Sequence, residues 1–329
     1  MPARRHAYAR TARLCALALS LSFSCSLSLG ACKGAGGAND AAATIDTDPL
    51  ALLPPGAVAL ADIEVQAIEH AGSGGSSLAT VADSLVPLGA DAGFVPSRDV
   101  DRIVLGSYGT INADVGAILT GRFDPDKIAK TTVTKSGAPI VVTPYLNFSI
   151  YKIGVAAYAP LTPHTLVAGT GDGVMRVLDR VHAGKFDRAM APWAADTLQT
   201  KGAEVSVAAD FATHPIGAVT VGSVSIPWLK GMQVARVLGD FSPPGLNVAA
   251  TLTYADPSQA SGAAQGISMA AGWVKMLAPL VGGANLQNLD VHAVGADVQC
   301  KFAVDDRSLQ MLVSLAPRLL PSLGGGSAP

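Results

Sequence analysis

The pattern that most restricts the fold of this chain is a strand that ends at an aspartate and is followed by a helix. Apolar or alternating residues precede the aspartate and residues with helical spacing follow it at six places, Asp62, Asp124, Asp172, Asp210, Asp256 and Asp306. An aspartate in this position caps a helix by accepting hydrogen bonds from its free N–H groups. The pattern therefore predicts strands alternating with capped helices, and not a cluster of metal-binding carboxylates.

The order of these elements repeats once along the chain. Residues 100–125, VDRIVLGSY…LTGRFDP, are similar to residues 234–257, VARVLGDF…LTYADP, although the apolar positions before the Asp-Pro pair differ by one residue. We therefore predict two similar α+β halves, 52–190 and 199–322.

Each predicted half has the element order β-α-β-β-α-β of the ferredoxin-like unit. We expect an α+β fold in which the halves form a mostly antiparallel sheet with helices on one face. The other face of such a sheet is free to meet solvent, a ligand or a partner.

The N-terminus, residues 1–31, is typical of a secretory signal. Arg4, Arg5, Arg10 and Arg13 precede an uncharged apolar and serine stretch from Leu14 to Leu29. A basic segment, a short apolar segment and small residues at the cut site define such signals. The apolar stretch is shorter than the roughly 20 residues that span a bilayer, which argues against the alternative of a transmembrane anchor.

The end of this signal resembles the lipobox of bacterial lipoprotein precursors. Leu29, Gly30, Ala31 and Cys32 match its four positions. The resemblance implies cleavage before Cys32, diacylglycerol on the Cys32 sulfur and an acyl chain such as palmitate on the new amine. Several acyl chains together hold a protein at a membrane. The alternative is an ordinary secreted protein cut near Ala31, in which Cys32 has no such role.

The resemblance also predicts a location. The membrane is the expected partner through the lipid anchor on Cys32, in the bacterial cell envelope. Lys33 follows the anchor, and a residue other than aspartate there favours the outer membrane over the inner membrane in enteric bacteria. Residues 32–51 are rich in Gly and Ala and are predicted to form a flexible tether. The body is then expected to open at Leu52, and residues 323–329 form a disordered Gly/Ser tail.

Composition excludes one class of partner. The signal holds four of the 23 basic residues and none of the 25 acidic ones, so the chain after cleavage has a net charge of −6. No basic patch is present, and nucleic acid is therefore not an expected partner. With Cys32 acylated, Cys300 has no partner for a disulfide within the chain. Its position in an alternating apolar run predicts a small buried side chain, with a nucleophile as the alternative.

The chain contains no catalytic or metal-binding motif that we recognise. G-x-S-x-G, H-x-x-x-H and H-E-x-x-H are missing, and the loop Gly169–Gly173 lacks the spacing of a phosphate-binding loop. We predict no catalytic residue, no metal site and no cofactor. The apolar insert Ile226–Met232 is predicted to cover the core, with an exposed patch as the alternative.

Three functions remain open at this stage. The first is a non-catalytic binding or scaffold module for an envelope protein, which a flat continuous surface would favour. The second is a carrier of lipid or another apolar ligand, which an apolar groove on the free sheet face would favour. The third is a secreted hydrolase, which would need His, Asp and Ser to converge in a cleft.

Overall fold

In the computed structural model, the residues that can be described are 42–72, 92–110, 113–216, 219–221, 224–277 and 286–311, with isolated residues between 75 and 89. They all belong to a single compact unit, Gly37–Pro329. The signal, the lipobox, residues 32–41 of the predicted tether and the C-terminal tail lie outside the described residues.

Fourteen strands form in this part of the chain. They are β1 Ala59–Ile63, β2 Val100–Ser107, β3 Val115–Gly121, β4 Val141–Tyr145, β5 Phe148–Ile153, β6 Ala156–Pro160, β7 Thr165–Thr170, β8 Val205–Asp210, β9 Val219–Val221, β10 Val224–Ile226, β11 Met232–Asp240, β12 Gly245–Tyr254, β13 Leu286–Val294 and β14 Asp297–Asp305. Twelve of them make one sheet in the order β13-β14-β12-β11-β8-β1-β2-β3-β7-β6-β5-β4.

The strand pairing confirms an α+β fold with a mostly antiparallel sheet. Every pair in the large sheet is antiparallel, and β1 and β8 lie side by side at the junction between the two predicted halves. The pairing within a half differs from the ferredoxin-like one. The helix after β1 leads to β2, which pairs with β1 directly, whereas a βαβ crossover would place the two strands parallel.

Few helices accompany the sheet. They are α1 Val65–His70, α2 Pro96–Asp99, α3 Pro125–Lys130, α4 Gly171–His182, α5 Pro192–Leu198 and α6 Pro257–Leu277, with short 3-10 helices at Pro49–Leu52 and Pro227–Leu229. Residues 42–45 and 306–311 are helical as well. No helix of the described residues is long and apolar enough to cross a membrane.

The sheet has two faces, which the strand register identifies. We call the side that carries Leu60, Val104 and Ala208 the front, and the opposite side the back, because side chains of directly paired residues project to the same side. The front of β1, β2, β3 and β7 is covered by α4, α5 and the first 3-10 helix, whose apolar side chains form one core with Val104. Separate cores lie on the back.

The expectation that helices cover only one face is therefore modified. In the first half both faces are covered, because α3 and its neighbouring segments pack on the back and α4 packs on the front. In the second half α6 packs on the back of β12, β13 and β14. Leu309, in the helical residues 306–311, packs on the back too.

The start of the body requires a correction. The tether was predicted to reach residue 51, but Asp48 caps the 3-10 helix Pro49–Leu52 and Leu50 is 0% exposed. Ile45 and Leu53 belong to the same front core. Asp46 accepts hydrogen bonds from the hydroxyls of two threonines in the loop before β7 and at its start. The folded body therefore begins by residue 42 and not at Leu52.

Candidate functional site

The predicted lipidation site cannot be placed in the fold. Leu29, Gly30, Ala31 and Cys32 lie outside the described residues. The predicted aspartate caps, five histidines, Cys300 and the free sheet face lie within the described residues.

Two of the predicted caps are confirmed as such. Asp124 accepts from the backbone N–H of Lys127 at the start of α3. Asp256 accepts from the N–H groups of Ser258 and Gln259 at the start of α6. The one-residue offset between the two repeats lies in the connections, because two residues separate β3 from Asp124 whereas one separates β12 from Asp256.

Three other assignments are wrong. Asp62 lies within β1 and pairs with Arg102, where its Oδ1 accepts from Nε at 2.8 Å. Helix α4 is capped by Thr170, whose hydroxyl accepts from the Gly173 N–H, and Asp172 lies inside the helix. At the last helix the capping oxygen belongs to Asp305, which accepts from the Ser308 N–H. The sixth position, Asp210, ends β8 and accepts from the Ala212 N–H in a turn.

The glycines of the loop Gly169–Gly173 serve packing. A Cβ atom at Gly173 would lie 2.0 Å from the Val115 carbonyl oxygen, and one at Gly116 would lie 3.0 Å from the Gly173 carbonyl oxygen. The absence of side chains at both positions lets α4 approach β3 closely. This arrangement explains the loop without a phosphate ligand.

Each of the five histidines within the described residues has its own neighbour. Their Nδ1 atoms face Gln66, Gly121, Asn147, Thr213 and Asp290, for His70, His164, His182, His214 and His292 respectively. Within the described part of the chain, no group of three His, Cys, Asp or Glu residues could hold a metal ion.

Cys300 is buried on the back of β14. It packs in the core beneath α6, and burial raises the pKa of its thiol, with a further contribution from the charge of Asp290. A nucleophilic cysteine needs a lowered pKa and access to solvent. The environment of Cys300 is therefore that of a small core residue.

The insert Ile226–Met232 also packs against the protein. Trp228 lies in the core with α6, and its carbonyl oxygen accepts from the Tyr254 hydroxyl at 2.6 Å. The interpretation of this insert as a core-covering turn is therefore confirmed at Trp228.

Within the described residues, no helix covers the front of β12, β14 and β13 in the second half. One row of side chains crosses it from β11 to β13, and the register places Arg236 opposite Thr251, Thr251 opposite Gln299, and Gln299 opposite His292. The next row consists of Leu238, Ala249, Lys301 and Asp290. We call these two rows the open face.

The open face contains two shallow depressions. The first has a volume of about 380 Å³ and lies between α5 and the strands, with Trp193, Arg236 and Gln299 in its lining. The second, of about 400 Å³, lies further along the same strands, and Lys301 lines both. Arg236 and Lys301 are exposed, whereas Thr251 and Gln299 are half-buried.

Four polar side chains of this face have no polar partner within the described residues, whereas His292 and Asp290 lie 3.3 Å from each other. Nothing in the described residues forms a hydrogen bond or an ion pair with the side chains of Arg236, Thr251, Gln299 or Lys301. The guanidinium of Arg236 stacks over the Trp193 ring at 5.3 Å from its centroid. These side chains are therefore free to bind a partner.

The sequence does not single out these residues. Each occupies the polar side of an alternating strand, which on its own indicates only contact with solvent. Arg236 and Lys301 are 65 positions apart in the chain. Only the pairing of β11, β12 and β14 brings them onto one surface.

Comparisons with known proteins concern the fold. No protein-family model matches the chain, and a search of curated proteins finds no match. Among solved structures, crystal form I of TP0453 is similar at 11% identity and a TM-score of 0.51, over 83% of this chain and 98% of that chain. Crystal form III of TP0453 gives 11% identity and a TM-score of 0.52, over 82% and 99%. The chain therefore shares its fold with these structures, while the open face is interpreted from its own residues.

Proposed function

We propose that this chain is a non-catalytic binding module of the bacterial cell envelope, lipid-anchored through Cys32, that binds a protein partner on the open face. The observation that carries the binding role is the front of β11, β12, β14 and β13. There the side chains of Arg236, Thr251, Gln299 and Lys301 form no hydrogen bond or ion pair within the described residues. The equivalent front surface of the first half is covered by α4.

The shape and chemistry of this surface favour a protein over a lipid. Its central side chains, Arg236, Thr251, Gln299 and Lys301, are polar or charged, whereas an acyl chain requires an apolar groove. The apolar cavity beside Trp193 measures about 210 Å³. Small-molecule pockets usually occupy roughly 300–1,000 Å³, so this cavity is small for a lipid. Carriage of an apolar ligand is therefore the second candidate.

The anchor is tested by replacing the lipidated cysteine. We expect Cys32→Ser to leave the body folded and to move the protein out of the membrane fraction, because acylation supplies its membrane affinity. The measurement is the distribution of protein between membrane and soluble fractions, with Cys300→Ser as the control that should stay in the membrane. A Cys32→Ser protein that is processed normally and remains in the membrane fraction would contradict the proposed anchor. Separation of the two membranes would test the preference for the outer one.

The binding role is tested by cross-linking in the intact envelope. A photoreactive benzoylphenylalanine placed at Thr251 should form a discrete adduct with another protein, because this position lies at the centre of the open face. The matched control places the same group at Thr143, a half-buried threonine in edge strand β4 at the other end of the sheet. Equal adducts from both positions, or none from Thr251, would refute a specific protein site there.

A further inference from the structure

We infer that the open face recognises carboxylates, and that its partner is an acidic polypeptide segment read by Arg236 and Lys301. This inference rests on the proposed function and specifies the chemistry of the partner. Within the described residues neither side chain forms a hydrogen bond or an ion pair, and the Arg236 guanidinium lies over the Trp193 ring.

Arg236 is held in a position suited to carboxylate binding. Its guanidinium lies over the ring of Trp193, which is itself packed against the front core. Attraction between the guanidinium and the face of the ring restrains the Arg236 side chain, whose N–H groups have no hydrogen-bond partner within the described residues. A planar guanidinium with a free edge binds a carboxylate through two parallel hydrogen bonds.

Lys301 supplies the second cation. It projects between the two depressions and has Ala249 beside it on β12. Its neighbour on β13, Asp290, lies near the imidazole of His292 at 3.3 Å. Within the described residues, the ammonium group of Lys301 forms no ion pair.

Three acidic residues lie beside the two cations. Asp290 is the register partner of Lys301 on β13, and its carboxylate lies 3.3 Å from the His292 imidazole. Asp240 lines the second depression and is engaged by the Asn247 amide at 3.1 Å and by the Ser242 hydroxyl. Asp196, on the exposed side of α5, lines the first depression with Arg236. Repulsion from these carboxylates restricts where the carboxylates of a partner can lie.

The spacing of the two cations suits two acidic side chains of one polypeptide segment. Arg236 and Lys301 lie two strands and one row apart, which corresponds to about 12 Å between their Cα atoms from standard strand spacing. At this spacing two acidic side chains of one segment can each reach one of the cations. The Thr251 hydroxyl and the Gln299 amide lie between them and can donate further hydrogen bonds.

The test measures binding of a defined acidic probe to the full-length chain in detergent. The probe is a fluorescent peptide of ten glutamates, and a peptide of ten lysines is the counterpart of opposite charge. We expect the glutamate peptide to bind and the lysine peptide not to bind. Arg236→Gln and Lys301→Gln should each raise the Kd about three- to fivefold, and the double variant more than tenfold, as exposed charge pairs contribute modestly.

Two control variants separate charge from geometry. Lys185→Gln removes an exposed cation in the loop after α4 and should leave the Kd unchanged. Arg236→Lys keeps the charge but loses the bidentate geometry, and it should bind with an intermediate Kd. Unchanged thermal unfolding of every variant confirms that the measured loss concerns binding.

The inference is overturned if the double variant binds the glutamate peptide as tightly as the unaltered chain, or if the lysine peptide binds equally well. The cross-linking experiment distinguishes this failure from failure of the proposed function. An adduct at Thr251 whose yield is unchanged in the double variant would overturn acidic recognition and leave the protein-binding role intact. A yield that falls in the double variant supports both.

Discussion

Leu50→Ala is expected to lower the free energy of unfolding by about 3 kcal/mol. Replacing a buried core leucine by alanine usually costs roughly 2–5 kcal/mol. The Leu50 side chain is 0% exposed and packs in the front core with residues of α4. Truncation would remove apolar contacts and leave a cavity between the first 3-10 helix and the sheet. Chemical denaturation followed by circular dichroism measures this change.

The control for Leu50→Ala is Val155→Ala, since Val155 is 88% exposed in the turn between β5 and β6. Its replacement should change the free energy of unfolding by less than about 0.5 kcal/mol. If Leu50→Ala unfolded like the unaltered chain, residues up to 51 would behave as the flexible tether that composition indicates. A large loss would establish that this segment belongs to the body.

Asp62→Asn is expected to lower the free energy of unfolding by about 3 kcal/mol, near the lower end of the range for breaking a buried ion pair. Asp62 is 4% exposed, and Arg102, which donates to it, is partly buried. The substitution removes the compensating negative charge and leaves the guanidinium with Glu64 as its remaining carboxylate neighbour, at 3.3 Å. Thermal and chemical unfolding of the variant provide the measurement.

The comparison for Asp62→Asn is Asp114→Asn, which breaks the more exposed pair with Arg176 on the same protein. A surface pair contributes about 0–1 kcal/mol, so this variant should unfold nearly as the unaltered chain does. A loss near zero for Asp62→Asn would agree instead with the helix-cap role predicted from the sequence, because asparagine caps a helix about as well as aspartate. The two magnitudes therefore decide between an ion pair inside the sheet and a cap.

The Asp-Pro pairs show that residues within one turn suffice to predict the start of a helix. Asp124-Pro125 and Asp256-Pro257 predict helix starts, and both are confirmed because a cap depends on residues within one turn. Asp48-Pro49 carries the same signal before an apolar run. The Gly/Ala-rich composition of the preceding residues indicates a tether, whereas the Asp48-Pro49 pair and the apolar residues Leu50, Leu52 and Leu53 indicate a packed helical segment.

Asp62 shows the opposite case. Its position after an apolar strand and before a helical pattern predicts a cap, but the strand continues through Ile63. The partner that holds Asp62 is Arg102, on the neighbouring strand and 40 positions away. No local pattern reveals such a pair, because it depends on strands that meet only in the sheet.

The face on which each helix packs is also a tertiary property. Thr170 and Asp305 both end a strand and cap the helix that follows, yet Thr170 is paired with Ala156 on the back and Asp305 with Gly245 on the front. Successive residues of a strand point to opposite faces of the sheet. A shift of one residue in the position where the strand ends therefore changes the face on which the following helix packs. The helix after β7 packs on the front, and the helical residues after β14 pack on the back.

The sequence by itself determined the α+β class, the antiparallel strands, the order of the elements and the helix starts at Asp124 and Asp256. These depend on side-chain periodicity and on hydrogen bonds between neighbours in the chain. The tertiary structure decided the pairing of β1 with β2 and β8, the burial of Leu50 and the opening of one face in the second half. The order of the strands and the face on which each helix packs depend on contacts between residues that are distant in the chain. For the same reason, Arg236 and Lys301 lie on one surface only when the sheet forms.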